Sequence, residues 1–138
     1  MNGVDMKRSW SYQLDGEPVP SQRARHSKTS HHVYNPQRAL QYILSSHLLE
    51  QHGNQPLFQG PLEMVITWYM KIPKMSEKKA KLMCGAYHHI KPDVDNLEQL
   101  LLNACNGVIF KDDCQISRII KQKVYDLEPR TVFKITEL

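Results

Sequence analysis

One feature constrains the fold more than any other: a one-sided apolar stripe. Leu97, Leu100, Leu101, Ala104 and Cys105 recur at i, i+3, i+4, i+7 and i+8, the period of an amphipathic helix. Such a stripe must be buried against something, and the remaining sequence offers strands more than further helices. Ser9–Leu14 alternates, with Trp10, Tyr12 and Leu14 on one side, as a half-buried strand does. Pro61–Met70 carries Val65, Ile66, Thr67, Trp68 and Tyr69 and reads as a central strand. Ile116–Val124 and Thr131–Thr136 read as two more, an antiparallel pair joined across Asp126–Pro129. The expectation is an α+β fold, a small mixed sheet of about four strands with two main helices on one side.

Capping chemistry sets the expected helix ends. Asp95 is expected to N-cap the striped helix, with Glu98 completing a variant capping box, and Asn106-Gly107 to stop it. An earlier helix is expected from Asn35, with Pro36 at its first position. Its apolar positions are Ala39, Leu40, Ile43, Leu44, His47 and Leu48, and it ends near His52-Gly53-Asn54. A short helix is expected over Ser76–Met83. Val108-Ile109-Phe110 reads as a buried extended run ahead of a turn at Asp112-Asp113.

The chain has 138 residues, one domain's length, and is expected to form a single domain over 1–138. No apolar run approaches the ~20 residues of a membrane span, and no apolar stretch follows the N-terminal charges as in a secretory signal. Three scattered cysteines, Cys84, Cys105 and Cys114, point to reduced thiols in the cytoplasm. A zinc module is disfavoured, because Cys84, Cys114, His88 and His89 lack ligand spacing. Net charge is +4, and its placement says more than its size. Arg23, Arg25 and Lys28, with His26, His31 and His32, lie in a basic flexible segment over 18–36, and no acidic residue falls between Glu17 and Glu50. Lys71, Lys74, Lys78, Lys79 and Lys81 form a second basic group. Basic segments of this kind suit a phosphate backbone, or else serve only as solvated loops.

Asp93 and Asp95 alternate, and Lys91-Pro92 biases their approach to extended, which puts both carboxylates on one face. A helix from Asn96 runs roughly 15 Å away. Six extended residues from Asn106-Gly107 return about 20 Å, enough to bring Asp112 or Asp113 beside the helix start. Converging carboxylates suit Mg²⁺ or Mn²⁺, and such an ion beside a basic groove is the arrangement of phosphodiester hydrolysis. Taken singly, each aspartate has a plainer reading as a cap, a solvated charge or a turn former.

The run Lys91-Pro92-Asp93-Val94-Asp95-Asn96-Leu97, followed by Asn106-Gly107-Val108-Ile109-Phe110-Lys111-Asp112-Asp113-Cys114-Gln115-Ile116, resembles the signature of the RusA-like Holliday-junction resolvases, crossover-junction endodeoxyribonucleases of bacteria and their prophages. Pro18–Arg25 and Val33–Pro36 are similar to that family's N-terminal segment. The resemblance implies a small α+β homodimer, acting in DNA recombination and repair, whose two active sites nick opposed strands of four-way junction DNA. It implies Mg²⁺, with Mn²⁺ as a substitute, and neither a small-molecule cofactor nor a membrane. The catalytic and metal carboxylates carry over to Asp93, Asp95 and Asp113, with Asp112 as an accessory or alternative ligand. Arg23, Arg25, Lys28, Lys91 and Lys111 are the expected DNA-binding residues.

One departure stands out. The family's lysine, four residues after the second aspartate, is Gln99 here, and a further acidic residue of that helix is Asn103. Glutamine donates only a neutral hydrogen bond, weaker than a charge-assisted one. Two readings stay open: a Mg²⁺-dependent structure-selective endonuclease, in which Lys91 or Lys111 stands in for the lysine, and a catalytically weak or inactive junction-binding protein.

Overall fold

The computed structural model describes residues 7–22, 25–26, 33–34 and 36–138. Strand β4 (Leu62–Lys71) organises it. Leu62, Met64, Ile66, Trp68 and Met70 point one way and are buried, while Glu63, Val65, Thr67 and Tyr69 on the other side are only half covered. Period-two alternation thus divides the sheet into a core face and an open face.

Around β4 lie β1 (Ser9–Asp15), β5 (Ile116–Asp126) and β6 (Arg130–Glu137), in the order β1-β6-β4-β5. β6 is antiparallel to both β1 and β4, and β5 runs parallel to β4 as an edge strand. The expected antiparallel pairing of the last two strands is therefore corrected, because β4 sits between them. The link from Asp126 to Arg130 spans four residue steps, about 13 Å when extended, and two strand spacings need only ~10 Å. The β4–β5 register contains a shift: Leu62 pairs with Ile116, but Glu63 pairs with Arg118, leaving Ser117 as an extra residue. A separate two-stranded ladder joins β2 (Arg25–His26) and β3 (Val33–Tyr34).

Among the described residues, three helices, α1 (Arg38–His52), α2 (Glu77–Met83) and α3 (Val94–Cys105), join the sheet with a 3₁₀ turn, η1 (Asp113–Gln115). The stripe on α3 is buried throughout, against a core that includes Trp68, Phe58, Phe110, Tyr12 and Phe133. The expected short helix is α2, capped by the Ser76 hydroxyl, which accepts from the Lys79 N–H.

The first helix starts later than expected. Asn35 lies outside the described residues, Pro36 and Gln37 form a turn, and α1 begins at Arg38 with no side-chain cap. The Gln37 side chain is instead committed to the N-terminal segment, donating to the Pro20 carbonyl at 2.7 Å and accepting from the Gln22 N–H at 2.8 Å. The inward face of α1 is also narrower than its periodicity implies. Leu40, Leu44, Leu48 and His52 face inward, four residues apart, while Ala39, Ile43 and His47 are exposed. His52 is kept inside by a 2.7 Å hydrogen bond to the Tyr12 hydroxyl.

Val108-Ile109-Phe110 is a turn, not an extended run. The N–H groups of Val108 and Ile109 both reach the Cys105 carbonyl, and Gly107, at φ +77°, donates to Phe110. Only a residue tolerant of positive φ turns the chain so tightly there. Among the described residues no helix is long and apolar enough to cross a membrane.

Candidate active site

The start of α3 lies two residues earlier than its sequence reading. Asp93, not Asp95, is the N-cap residue, and its carbonyl accepts from the N–H groups of Asn96 and Leu97. Its side chain makes no cap bond, so its carboxylate is not consumed by the helix. Asp95 falls in the first turn, with its side chain 91% exposed. Two carboxylates are thus presented at the helix end where the backbone dipole favours negative charge. The Asn96 carbonyl accepts from the Ser21 N–H at 2.8 Å, tying the N-terminal segment to this end of α3. Pro20, Ser21, Lys91, Pro92, Asp93 and Asn96 line an open groove between the two segments.

Beneath this end runs β5. The register sets Lys121 beside Ile66 and Lys123 beside Trp68, so both lysines lie on the face covered by α3. Lys123 Nζ donates to the carbonyls of Ile90 and Pro92 at 2.6 Å each, clamping the loop that enters α3. Lys121 Nζ donates to Glu98 Oε1 at 2.9 Å and to Asp95 Oδ1 at 3.4 Å. Glu98 therefore serves as an ion-pair partner and not as the capping-box residue expected. Burial works against the Lys121 charge, but hydrogen bonds and ion pairing to Glu98 and Asp95 outweigh it and hold its pKa above the ordinary value. His88 packs its ring against Tyr125 with a buried Nδ1 that lacks a partner among the described residues. Burial first, then Lys123 and His89, lower its pKa.

Gln99 points its amide along the helix, Nε2 donating to Asn103 Oδ1 at 3.0 Å. The two departures from the family pattern are bonded to one another.

The second pair of aspartates stands just before β5. Asp112 caps η1: its carboxylate accepts from the Cys114 N–H at 2.9 Å, and Gln115 Oε1 accepts in return from the N–H groups of Lys111 and Asp112. Bonds from the Cys114 thiol and N–H hold the Asp112 carboxyl below its usual range. Asp113 is half-buried at the first position of the turn. Lys111 is exposed and lines a separate groove with Gln59, Asp112 and Ser117.

Asp93 and Asp95 therefore come together, while Asp112 and Asp113 do not join them in one cluster. Among the described residues no group of three or more His, Cys, Asp or Glu gathers closely enough to hold a metal ion. Asp93 and Asp95 supply hard oxygen donors of the kind Mg²⁺ takes, but two carboxylates, one of them paired with Lys121, do not make a complete cation site. Arg23 and Lys28 lie outside the described residues, and Arg25 is described only as a backbone partner of Tyr34. Sequence reasoning missed Lys121 and Lys123. The available signal was the alternation Ile119, Lys121, Lys123, Tyr125, which puts two lysines on the side of an apolar strand where a charge needs partners.

The sequence matches the family described as Endodeoxyribonuclease RusA over residues 15–136. It is also 32% identical, over 133 residues covering 89% of this chain and 92% of the other, to a protein of Bacillus subtilis (strain 168) described as uncharacterized protein YqaN.

Proposed function

The chain belongs to the RusA endodeoxyribonuclease family, and from that premise we propose that it is a structure-selective endonuclease that resolves four-way DNA junctions by paired nicks. Nucleases of this family are generally divalent-metal dependent. Asp93, Asp95 and Asp113, with Asp112 accessory, are the carboxylates proposed to serve Mg²⁺, which in such reactions activates water and stabilises the leaving oxygen; Asp113 would have to approach the α3 pair, which it does not join among the described residues. Arg23, Arg25, Lys28, Lys91 and Lys111 are the proposed DNA contacts. Paired nicking calls for two sites, and hence for a homodimer with one site in each protomer.

The observation that carries this reading is the pair of carboxylates at the start of α3. Asp93 caps the helix through its carbonyl alone, and Asp95 stands exposed beside it. Carboxylates that no cap bond consumes, one of them meeting only a long and exposed ion pair with Lys121, are placed for chemistry more than for folding. The N-terminal basic segment leaves from this same end, since Ser21 is bonded to Asn96.

The test is cleavage of a synthetic four-way junction with Mg²⁺ or Mn²⁺, against chelator. Symmetric nicks that depend on metal and are absent on linear duplex support the proposal. Tight junction binding without nicking in either metal turns the reading to a junction-binding protein. The neutral Gln99–Asn103 pair is the observation that favours that second reading.

A further inference from the structure

We propose that Lys121 supplies the positive charge that meets the scissile phosphate, an inference that rests on the endonuclease reading above. A phosphodiester under attack accumulates negative charge on its oxygens, and two neighbouring aspartates raise the cost of that charge. A preorganised cation offsets it without further rearrangement. Among the described residues, three ammonium groups stand near Asp93 and Asp95. Lys123 is spent on the carbonyls of Ile90 and Pro92. Lys91 is exposed in the loop before the helix. Of the three, Lys121 is both fixed in place and presented to a member of the acidic pair, Asp95.

The two contacts of Lys121 are unequal. Glu98, 22% exposed, holds the ammonium at 2.9 Å, while Asp95, 91% exposed and so on the solvent side, meets it at 3.4 Å. A long, exposed ion pair contributes little in water, so Glu98 anchors the charge and Asp95 marks where it is delivered. An ammonium has three donors. Two are engaged by Glu98 and Asp95, and the third is left for a phosphate oxygen. Gln99 offers no charge and is bonded along the helix to Asn103. The cation thus comes from the sheet below the helix instead of from the helix itself.

The experiment is single-turnover cleavage of a synthetic four-way junction at saturating protein and Mg²⁺, with junction affinity and thermal midpoint measured on the same preparations. Lys121→Gln is expected to lower the rate about 100-fold or more, with affinity at fixed salt within about threefold, since the other phosphate-binding cations remain. Gln99→Lys added to that background is expected to recover about tenfold or more, because it returns an ammonium to the same end of α3. The double variant Glu98→Gln/Lys121→Gln leaves no half-buried carboxylate unpartnered, only the solvent-exposed Asp95, and keeps the test usable if Lys121→Gln does not fold. An unchanged rate in Lys121→Gln overturns the inference. So does a loss that Gln99→Lys does not relieve, or one that follows a fall in affinity or thermal midpoint, since either marks a structural lysine. A wild type that binds junctions without cutting them removes the endonuclease reading and this inference together. An active wild type with an indifferent Lys121→Gln removes the inference alone.

Discussion

The two aspartate pairs are treated oppositely by the backbone around them. At η1, Asp112 is absorbed into a reciprocal cap with Cys114 and Gln115. At α3, Asp93 caps through its carbonyl while its side chain is left out, and Asp95 is exposed beside Lys121. The same residue type closes a turn in one place and stands outside the helix cap in the other. A carboxylate already accepting backbone N–H bonds has less capacity for anything else. Within the second pair, Asp113 is therefore the better candidate ligand.

The largest expected effect breaks the comparison at α3. Asp95→Asn should lower junction cleavage about 10³-fold or more, a loss of roughly 4 kcal/mol of transition-state stabilisation, while binding and unfolding midpoint hold. Because Asp95 is not the cap, a drop in stability equal to the drop in rate would show that the exposed pair is structural after all.

Next in size is the basic segment that leaves from Ser21. Replacing Arg23, Arg25 and Lys28 by glutamine should flatten the log–log salt dependence of duplex affinity by about 0.9 for each phosphate no longer neutralised. An unchanged slope, measured by anisotropy across a salt series, would separate the segment from the α3 end that anchors it.

At η1 the expected effect falls on stability. Asp112→Ala should lower the urea midpoint, and Asp112→Asn, which keeps an acceptor for the Cys114 N–H, should preserve it. Cleavage by Asp112→Asn should stay closer to wild type than cleavage by Asp113→Asn. The reverse order would exchange the roles of the two residues.

The smallest expected effect is a pH dependence from His88, whose ring packs on Tyr125 and whose backbone N–H donates to the Lys123 carbonyl. Its pKa is lowered in the folded chain, so below its ordinary value of about 6.5 the unfolded chain binds the proton more readily. Stability then rises with pH between the folded value and 6.5, and falls on acidification through that window. His88→Gln should flatten the stability difference between pH 7.5 and pH 5.5, read from urea unfolding.

The sequence makes some of this legible and hides the rest for identifiable reasons. The α3 stripe, the β-rich run of β4 and the Asp93–Asp95 pair are readable because each depends on local composition, period or spacing. The order of β5 and β6 is not, because adjacency in the chain favours direct pairing and only the assembled sheet puts β4 between them. The start of α3 is misleading because Asp95 with Glu98 has the spacing of a capping box, yet Glu98 is drawn to a lysine more than twenty residues later. Residues 108–110 read as extended from their apolar side chains, while backbone bonds from Val108 and Ile109 to Cys105 curl the chain into a turn.

Ser117, the unmatched residue where β5 first pairs with β4, sets the phase of everything after it. Up to Ile116 the even-numbered side chains of β5 share the face of Leu62; beyond the bulge, Ile119, Lys121 and Lys123 do. In a regular ladder the positions beside Ile66 and Trp68 would be Ile120 and Gln122, and both lysines would turn to the open face, away from α3. Bulges near active sites commonly re-aim side chains in this way. The charge at Asp95 therefore depends on a single uncharged residue that touches neither partner. Deleting Ser117 would leave every ionisable side chain of the site in the sequence while rotating the cations out of it.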